Sequence, residues 1–441
     1  MTATSLPATL PRRLGAITAA GTLVGIMIGS GIFRIPSQVA ELVPSPGAFM
    51  LVWLVGGLLA LSGALMFGEF AAMYPDTGGR YVYLREGVHP VVAFAYAVGN
   101  ILMLRPVSLS ARSLLIAAYL GSLIPALAGR ETLTAAGIII TLSAMNYRSA
   151  LLGAGMATTT SVAKVLALLL LAGMTLGAAP EPTTTAAASG VVTFKGFGLA
   201  LVTVMWTYSG WGSTTYITGE VRNAERTMPR VLMLGVGAVV LLFLLINWSY
   251  LQALPMDAIA ASDTVATDAA AVVLGDTAGK LMSLLVVISV LGSLTGSMLA
   301  APRLPFAMGN DAPRLRMLAK VHQAYGTPHA SVLFTGVLAL LYLGAGDFEQ
   351  LVENYILGSW PFYVLVAVGY FRLRHQRPDL PRPFRTPGYP VVPGFFLLAS
   401  AAMVINGFAA DPVGAITGSW VMLLGVPVYY LVRARAPDAI R

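Results

Sequence analysis

Ile28-Gly29-Ser30-Gly31-Ile32-Phe33 interrupts the first long apolar segment of the chain, and Trp206-Thr207-Tyr208-Ser209-Gly210-Trp211-Gly212-Ser213-Thr214 interrupts a later one. Both place small, polar, poor helix formers near the middle of a span that is otherwise suited to a membrane helix. Each predicts a helix that breaks partway. A break exposes backbone N–H groups where the second half-helix starts and carbonyls where the first one ends. These receive an anionic and a cationic group respectively. One such pair can hold both charged ends of an amino acid. For the first stretch alone, close packing is an equal reading, since Gly21, Gly25 and Gly29 form a small-residue stripe at four-residue spacing.

The rest of the chain sets these breaks in a bilayer. Of 441 residues, 57% are hydrophobic and only 10% charged, with a mean hydropathy of +0.77, so the apolar surface cannot be hidden from water. A soluble enzyme, a disordered chain and a fibrous repeat are excluded. No long stretch alternates apolar and polar residues, which favours helices over a barrel. The expected class is an all-α integral membrane protein. Twelve candidate helices lie at approximately 14–40, 47–73, 90–121, 131–147, 151–178, 196–219, 228–253, 276–305, 328–345, 350–373, 388–409 and 411–433. Sorted on this map, 20 of the 27 Lys and Arg fall on one side, four fall inside helices, and only Arg130, Lys195 and Lys280 fall on the other. The positive-inside rule then puts both termini in the cytoplasm of a multi-pass protein of the plasma (inner) membrane. Arg12 and Arg13 precede a first helix without a cleavage-type boundary, which predicts that it is retained.

Several functions fail on missing chemistry. The absence of cysteine removes disulfides, thiol catalysis and iron–sulfur ligation. His89, His322, His329 and His375 sit at loops or helix ends without an HExxH pair, so no metal site is expected. No GxxxxGK[ST] loop exists, and no cofactor is implied. The net charge of +8 is dispersed in short clusters between apolar segments, which speaks for membrane orientation and against nucleic acid. The expected partners are the lipid bilayer and a small substrate.

The two breaks lie five helices apart and so run in opposite directions, as an inverted repeat requires. Trp206, Tyr208 and Trp211 are candidates to shape or gate a pocket, although aromatic residues in such helices also simply pack. Among basic residues inside spans, Lys164 can donate to unwound carbonyls of the first helix or snorkel to the interface, and the residues alone leave these equal. Arg105, Ser108 and Arg112 share a face of the third helix, with Glu69 on the second as the expected counter-ion. Arg34 lines an exit path or lies at a wet surface. Leu254 to Gly275, with Asp257, Asp263 and Asp268, reads as an external connection with a short surface helix and solvated acids. Arg372 to Pro393 reads as a proline- and arginine-rich connector at a charged lipid surface.

Taken together, these runs resemble the amino acid, polyamine and organocation transporter superfamily, in its L-type amino-acid transporter and bacterial amino-acid permease branch. The resemblance rests on Ile28 to Phe33, on Glu69 with Tyr74 to Leu84, on Arg105-Pro106 with Ser108, and on Tyr208 to Trp211 with Glu220, Asn223 and Arg226. Asn247 with Tyr250 and Arg377 to Arg385 extend it over nearly the whole chain. It implies a LeuT-type 5+5 inverted repeat with broken helices 1 and 6 (14–178 and 196–373), plus two C-terminal helices (388–433), in a single membrane transport domain spanning 1–441. It also implies a site in which backbone groups at Gly29, Ser30 and Gly31 receive the substrate carboxylate. Carbonyls near Met27, Ile28, Trp206 and Ser209 would receive the ammonium, with Gly210 and Trp211 completing the second break. Trp206 would act as external gate, and Lys164 as the lysine beside the unwound first helix, whence sodium independence. Thr295 stands where L-type members commonly carry Asn, and Gly212 where a larger residue is frequent. With no cysteine, the chain lacks the means to join a heavy subunit through a disulfide. Trp360 and Val107 are further pocket walls by position, with packing an equal reading for both.

The expected function is sodium-independent exchange of small or medium neutral L-amino acids by alternating access, with no enzymatic step. A proton-coupled importer with Lys164 as the titrating group is the nearest rival. A cationic amino-acid or polyamine carrier is another, though it needs an acidic group facing the pocket.

Overall fold

The computed structural model describes residues 8–177, 191–344, 348–410, 412 and 421–433, and the described residues are almost entirely helical. The first apolar segment forms α1 (Ala16–Met27) and α2 (Gly31–Leu42), bent by 41° at the intervening residues. There follow α3 (Pro46–Met73), a short α4 (Arg80–Gly87), and α5 (Pro90–Leu123), which runs through a wider turn at Asn100–Leu104. Proline at the start of α3 and of α5 lacks only an N–H that would have no partner there. Next come α6 (Glu131–Arg148), α7 (Ala150–Gly177), α8 (Phe194–Thr207) and α9 (Trp211–Thr214), the last tightening into a 3₁₀ turn at Thr215–Glu220. The remainder is α10 (Ala224–Ala253), α11 (Met256–Ala261), α12 (Val265–Leu274), α13 (Ala278–Asp311), α14 (His329–Leu341), α15 (Phe348–Gln376), α16 (Val391–Ala410) and α17 (Gly425–Arg433).

Among the described residues, α3, α5, α7, α10 and α13 are each long and apolar enough to cross a membrane, and the bent pair α1–α2 makes a sixth such unit. Helix also occupies the other six candidate stretches, in shorter or more polar pieces. The end of the ninth stretch, at 345, the last residue of the fifth, at 178, and most of 411–420 lie outside the described residues. Leucines such as Leu170, Leu234 and Leu398 stand exposed on the flanks, as a bilayer-embedded bundle requires.

Three expectations are corrected. Glu69 does not pair with the third candidate helix: it sits one turn from the end of α3. Its carboxylate accepts from Arg374 (2.6 Å), the Tyr370 hydroxyl (2.8 Å) and the Thr386 N–H (2.7 Å), with Arg382 at 3.3 Å. The connector 377–390 is therefore folded back onto the bundle by a buried acid, rather than spread on a lipid surface. Finally, Leu254 to Gly275 holds two helices, and α12 turns Val265, Ala266, Ala269 and Ala270 inward. Its acids are not simply solvated, because the Ser262 hydroxyl donates to Asp268.

Candidate functional site

The first break begins where α1 ends at Met27, and Ile28 to Ser30 leave the helix before Gly31 restarts it. Within α2 the Phe33 N–H turns back to the Ser30 carbonyl at 3.2 Å, while the N–H groups of Gly31 and Ile32 open the half-helix where none has an intrahelical acceptor. On the other side of the gap, the carbonyls at the end of α1 are met by side chains from two other helices. Fully buried Lys164 of α7 donates from Nζ to the Gly25 carbonyl (2.8 Å), the Ile28 carbonyl (2.5 Å) and the Ser289 carbonyl (3.1 Å). Three donors find three acceptors, so the ammonium is saturated. Ser289 of α13 adds a 3.3 Å bond to the Ile28 carbonyl, and Ser293 a 3.2 Å bond to that of Ile26. One turn earlier, Ser161 reaches the Gly21 carbonyl at 2.7 Å. Snorkelling is excluded for Lys164: its ammonium is sunk in the bundle.

Both readings of the glycine stripe hold at once. A Cβ at Gly21 would lie 2.4 Å from Thr158 Oγ1, and one at Gly25 2.8 Å from Ser161 Oγ, so these two glycines let α1 lie against α7. Gly29, at the break, is looser, with Ser293 Oγ 3.4 Å from the same position. Gly31 is tight against the other broken segment: a Cβ there would meet Thr207 Oγ1 at 2.6 Å.

The second break falls at Tyr208, Ser209 and Gly210, between α8 and α9. Gly210 adopts φ +113°, a conformation L side chains rarely take, and its Cα faces Ile26 of α1, 2.8 Å from where a Cβ would stand. The Trp206 carbonyl accepts the Ser209 N–H at 3.1 Å. Tyr208 points away from any pocket: its hydroxyl donates to the Trp53 carbonyl at 3.1 Å and its ring packs on Trp53 and Phe243. Trp206, Ser209 and Trp211, by contrast, line a cavity with Trp360 and Tyr363 of α15. At about 10 Å³ it holds no more than one water. Val107 is buried and does not line it.

Beyond the second break the charges are organised partly by residues that the sequence did not single out, Asn100, Tyr96, Tyr216 and Arg303 among them. Arg105 donates to Ser213 of α9 at 2.7 Å and to Asn100 at 3.2 Å, and lies 5.1 Å from the ring centre of Tyr216, whose hydroxyl bonds that of Tyr96. Buried Arg80 lies 3.5 Å from the ring centre of Tyr363. Arg112 reaches Ser297 at 2.6 Å. The end of the bundle that carries residue 14 is shut by a backbone bridge between Leu14 and Val221 and by a buried, two-pronged Arg303–Glu220 pair (2.6 and 3.0 Å). There Tyr81 and Arg85 both donate to Asp311, at 2.8 and 2.6 Å. Burial, and Asp311 beside it, push the Tyr81 phenol well above its ordinary value, so it stays a donor at neutral pH. At the opposite end a cleft of about 40 Å³ leads toward Ser30 between Phe33, Arg34, Tyr119 and Asp263. Arg34 is thus both exposed and beside a path to the first break.

Ser289, Ser293 and Ser297 were legible in principle as a polar stripe at four-residue spacing on one helix. Arg303 gave no local signal, because it stands at the end of an apolar stretch where a charge reads as ordinary interface.

The chain matches the family described as Amino acid permease over residues 14–432. It is similar to the b(0,+)-type amino acid transporter 1 of Homo sapiens, 27% identical over 415 residues that cover 91% of this chain and 84% of that protein. The serine/threonine exchanger SteT of Bacillus subtilis is 27% identical over 97% of this chain and 98% of its own. The cystine/glutamate transporter of Homo sapiens is 28% identical over 96% and 85%. In structure the chain resembles Mhp1, a nucleobase-cation-symport-1 family transporter, in a closed conformation with bromovinylhydantoin bound, with a TM-score of 0.59 over 98% of this chain and 96% of that one. At 15% identity that likeness shows a shared all-helical transporter fold.

Proposed function

The chain belongs to the amino acid permease family, and on that premise we propose that it is a sodium-independent exchanger of small or medium neutral L-amino acids, working by alternating access. It is a multi-pass membrane transporter and not an enzyme. The observation that carries the proposal is the pair of facing breaks, with Gly31 of the first against Thr207 of the second and Gly210 of the second against Ile26 of the first. In this reading the N–H groups at Gly29, Ser30 and Gly31 take the substrate carboxylate. Carbonyls near Met27, Ile28, Trp206 and Ser209 take the ammonium, that of Ile28 being shared with Lys164 and Ser289. Gly210 and Trp211 complete the wall, and Trp206 gates it.

Lys164 puts a fixed ammonium among carbonyls where a sodium ion would otherwise bind, which supports sodium independence. The small cavity at Trp206 cannot hold an amino acid, so substrate entry requires the helices to part. The topology proposed with it is twelve spans with both termini in the cytoplasm of the plasma membrane. Residues 14–178 and 196–373 form the inverted repeats, and 388–433 the two added helices. The chain works without a disulfide-linked heavy subunit, having no cysteine.

Proteoliposomes test this directly. Uptake of labelled alanine or serine should require amino acid inside the vesicles and should ignore sodium. Uptake into empty vesicles driven by an imposed pH gradient would replace exchange with proton coupling. Silence across a panel of neutral amino acids, with uptake of arginine or putrescine, would replace the substrate class.

A further inference from the structure

A cavity of about 440 Å³ lies on the outer side of α1, α7 and α10, apart from the second break and bordering the first at Ile28. Its walls come from Val24, Ile28, Val165, Leu169, Ala238 and Leu242 with their neighbours on α10, and every lining side chain is aliphatic. The helix flanks beside it are continuous with the surface that faces lipid: Leu166 is 61% and Leu241 69% exposed. Ala238 lies about 21 Å from either end of α10 at 1.5 Å per residue, which is mid-depth in a hydrocarbon layer about 30 Å thick. Neither water nor a polar headgroup resides at that depth, and these walls offer almost nothing polar to meet one.

We propose that this groove binds one acyl chain of a bilayer lipid. The occupant lies against the first break itself: Ile28 forms part of the wall, and its carbonyl is the one that Lys164 and Ser289 hold. Val165 is the next residue after that lysine. Lipid tails are as apolar as leucine, so the preference over ordinary annular lipid comes from close packing between three helices and is modest.

The experiment uses the full chain in vesicles of phosphatidylethanolamine and phosphatidylglycerol, doped with a phospholipid that carries a photoactivatable diazirine midway along one acyl chain. After illumination, labelled peptides are mapped by mass spectrometry. Labelling at Val165–Leu169 and Ala238–Leu245 should exceed that of the exposed face of α6 at Leu133 and Ile140 by about threefold or more, a packing preference of about 0.7 kcal/mol at about 1.4 kcal/mol per tenfold. Ala238→Trp, which fills the groove with protein, should bring labelling there down to the α6 level while amino-acid counterflow persists. Val165→Trp, from the opposite wall, serves if the first variant does not fold. Even labelling over both faces in the wild type overturns the proposal, as does unchanged labelling in a folded groove-filling variant.

Discussion

The two breaks are alike in position and unlike in what holds them. The first, at Ile28 to Ser30, has no residue of positive φ, and its Ile28 carbonyl is met by side chains from α7 and α13 more than a hundred residues away. The second, at Tyr208 to Gly210, carries its own means: a glycine at φ +113° and a short turn from the Ser209 N–H to the Trp206 carbonyl. One break is imposed by the tertiary fold and the other is written locally. The first should therefore respond to changes on distant helices, and the second mainly to changes in its own residues.

The largest effect is expected for Lys164→Met. It keeps bulk but takes the ammonium from the buried carbonyls of Gly25, Ile28 and Ser289, of which Ile28 keeps the Ser289 hydroxyl, at about 1–3 kcal/mol for an acceptor left stranded. Thermal unfolding in detergent should fall by several degrees and exchange by about tenfold or more. A variant with wild-type exchange and stability would show that the first break holds itself. Gly31→Val comes next, because its side chain would press on Thr207 Oγ1, at an overpacking cost of about 1–3 kcal/mol. Adding Thr207→Ala should restore much of the stability. If substrate affinity by competition returns as well, Gly31 acts through packing between the breaks and not through approach of its backbone to a carboxylate.

Gly210→Ala tests the local break, with an expected cost of about 1–2 kcal/mol from the backbone angle alone, and more through contact with Ile26. Its loss should appear in unfolding temperature even where Lys164 is intact, and additivity of the two variants would mark the breaks as independent. Ser289→Ala is the mildest change, about 1 kcal/mol, because Lys164 still serves the Ile28 carbonyl. An effect on exchange as large as that of Lys164→Met would mean that the serine, and not the ammonium, positions the break.

Much of this was legible before any coordinates. Glycine and serine in the middle of an apolar run mark a break because they lack both helix propensity and side-chain packing, and both breaks fall on the residues that say so. Glu69 was not legible as placed. A buried acid advertises that it needs a cation, but the choice among Arg105, Arg112, Arg374 and Arg382 depends on where helices far apart in the chain come level. Tyr208 is the same case: its sequence position beside Trp206 and Trp211 suggests a pocket wall, and only the direction of the broken α8 turns its hydroxyl to Trp53.

The amino-acid sequence by itself determined the solvent of this protein, its helical class and the sites of interruption, because apolar content and helix propensity act within one or two turns of chain. Only the tertiary structure decided which carbonyls Lys164 would cap, which arginines Glu69 would neutralise, and which glycines would serve packing. Those outcomes depend on hydrogen-bond geometry over a few ångströms between segments whose separation along the chain says nothing of their distance in space.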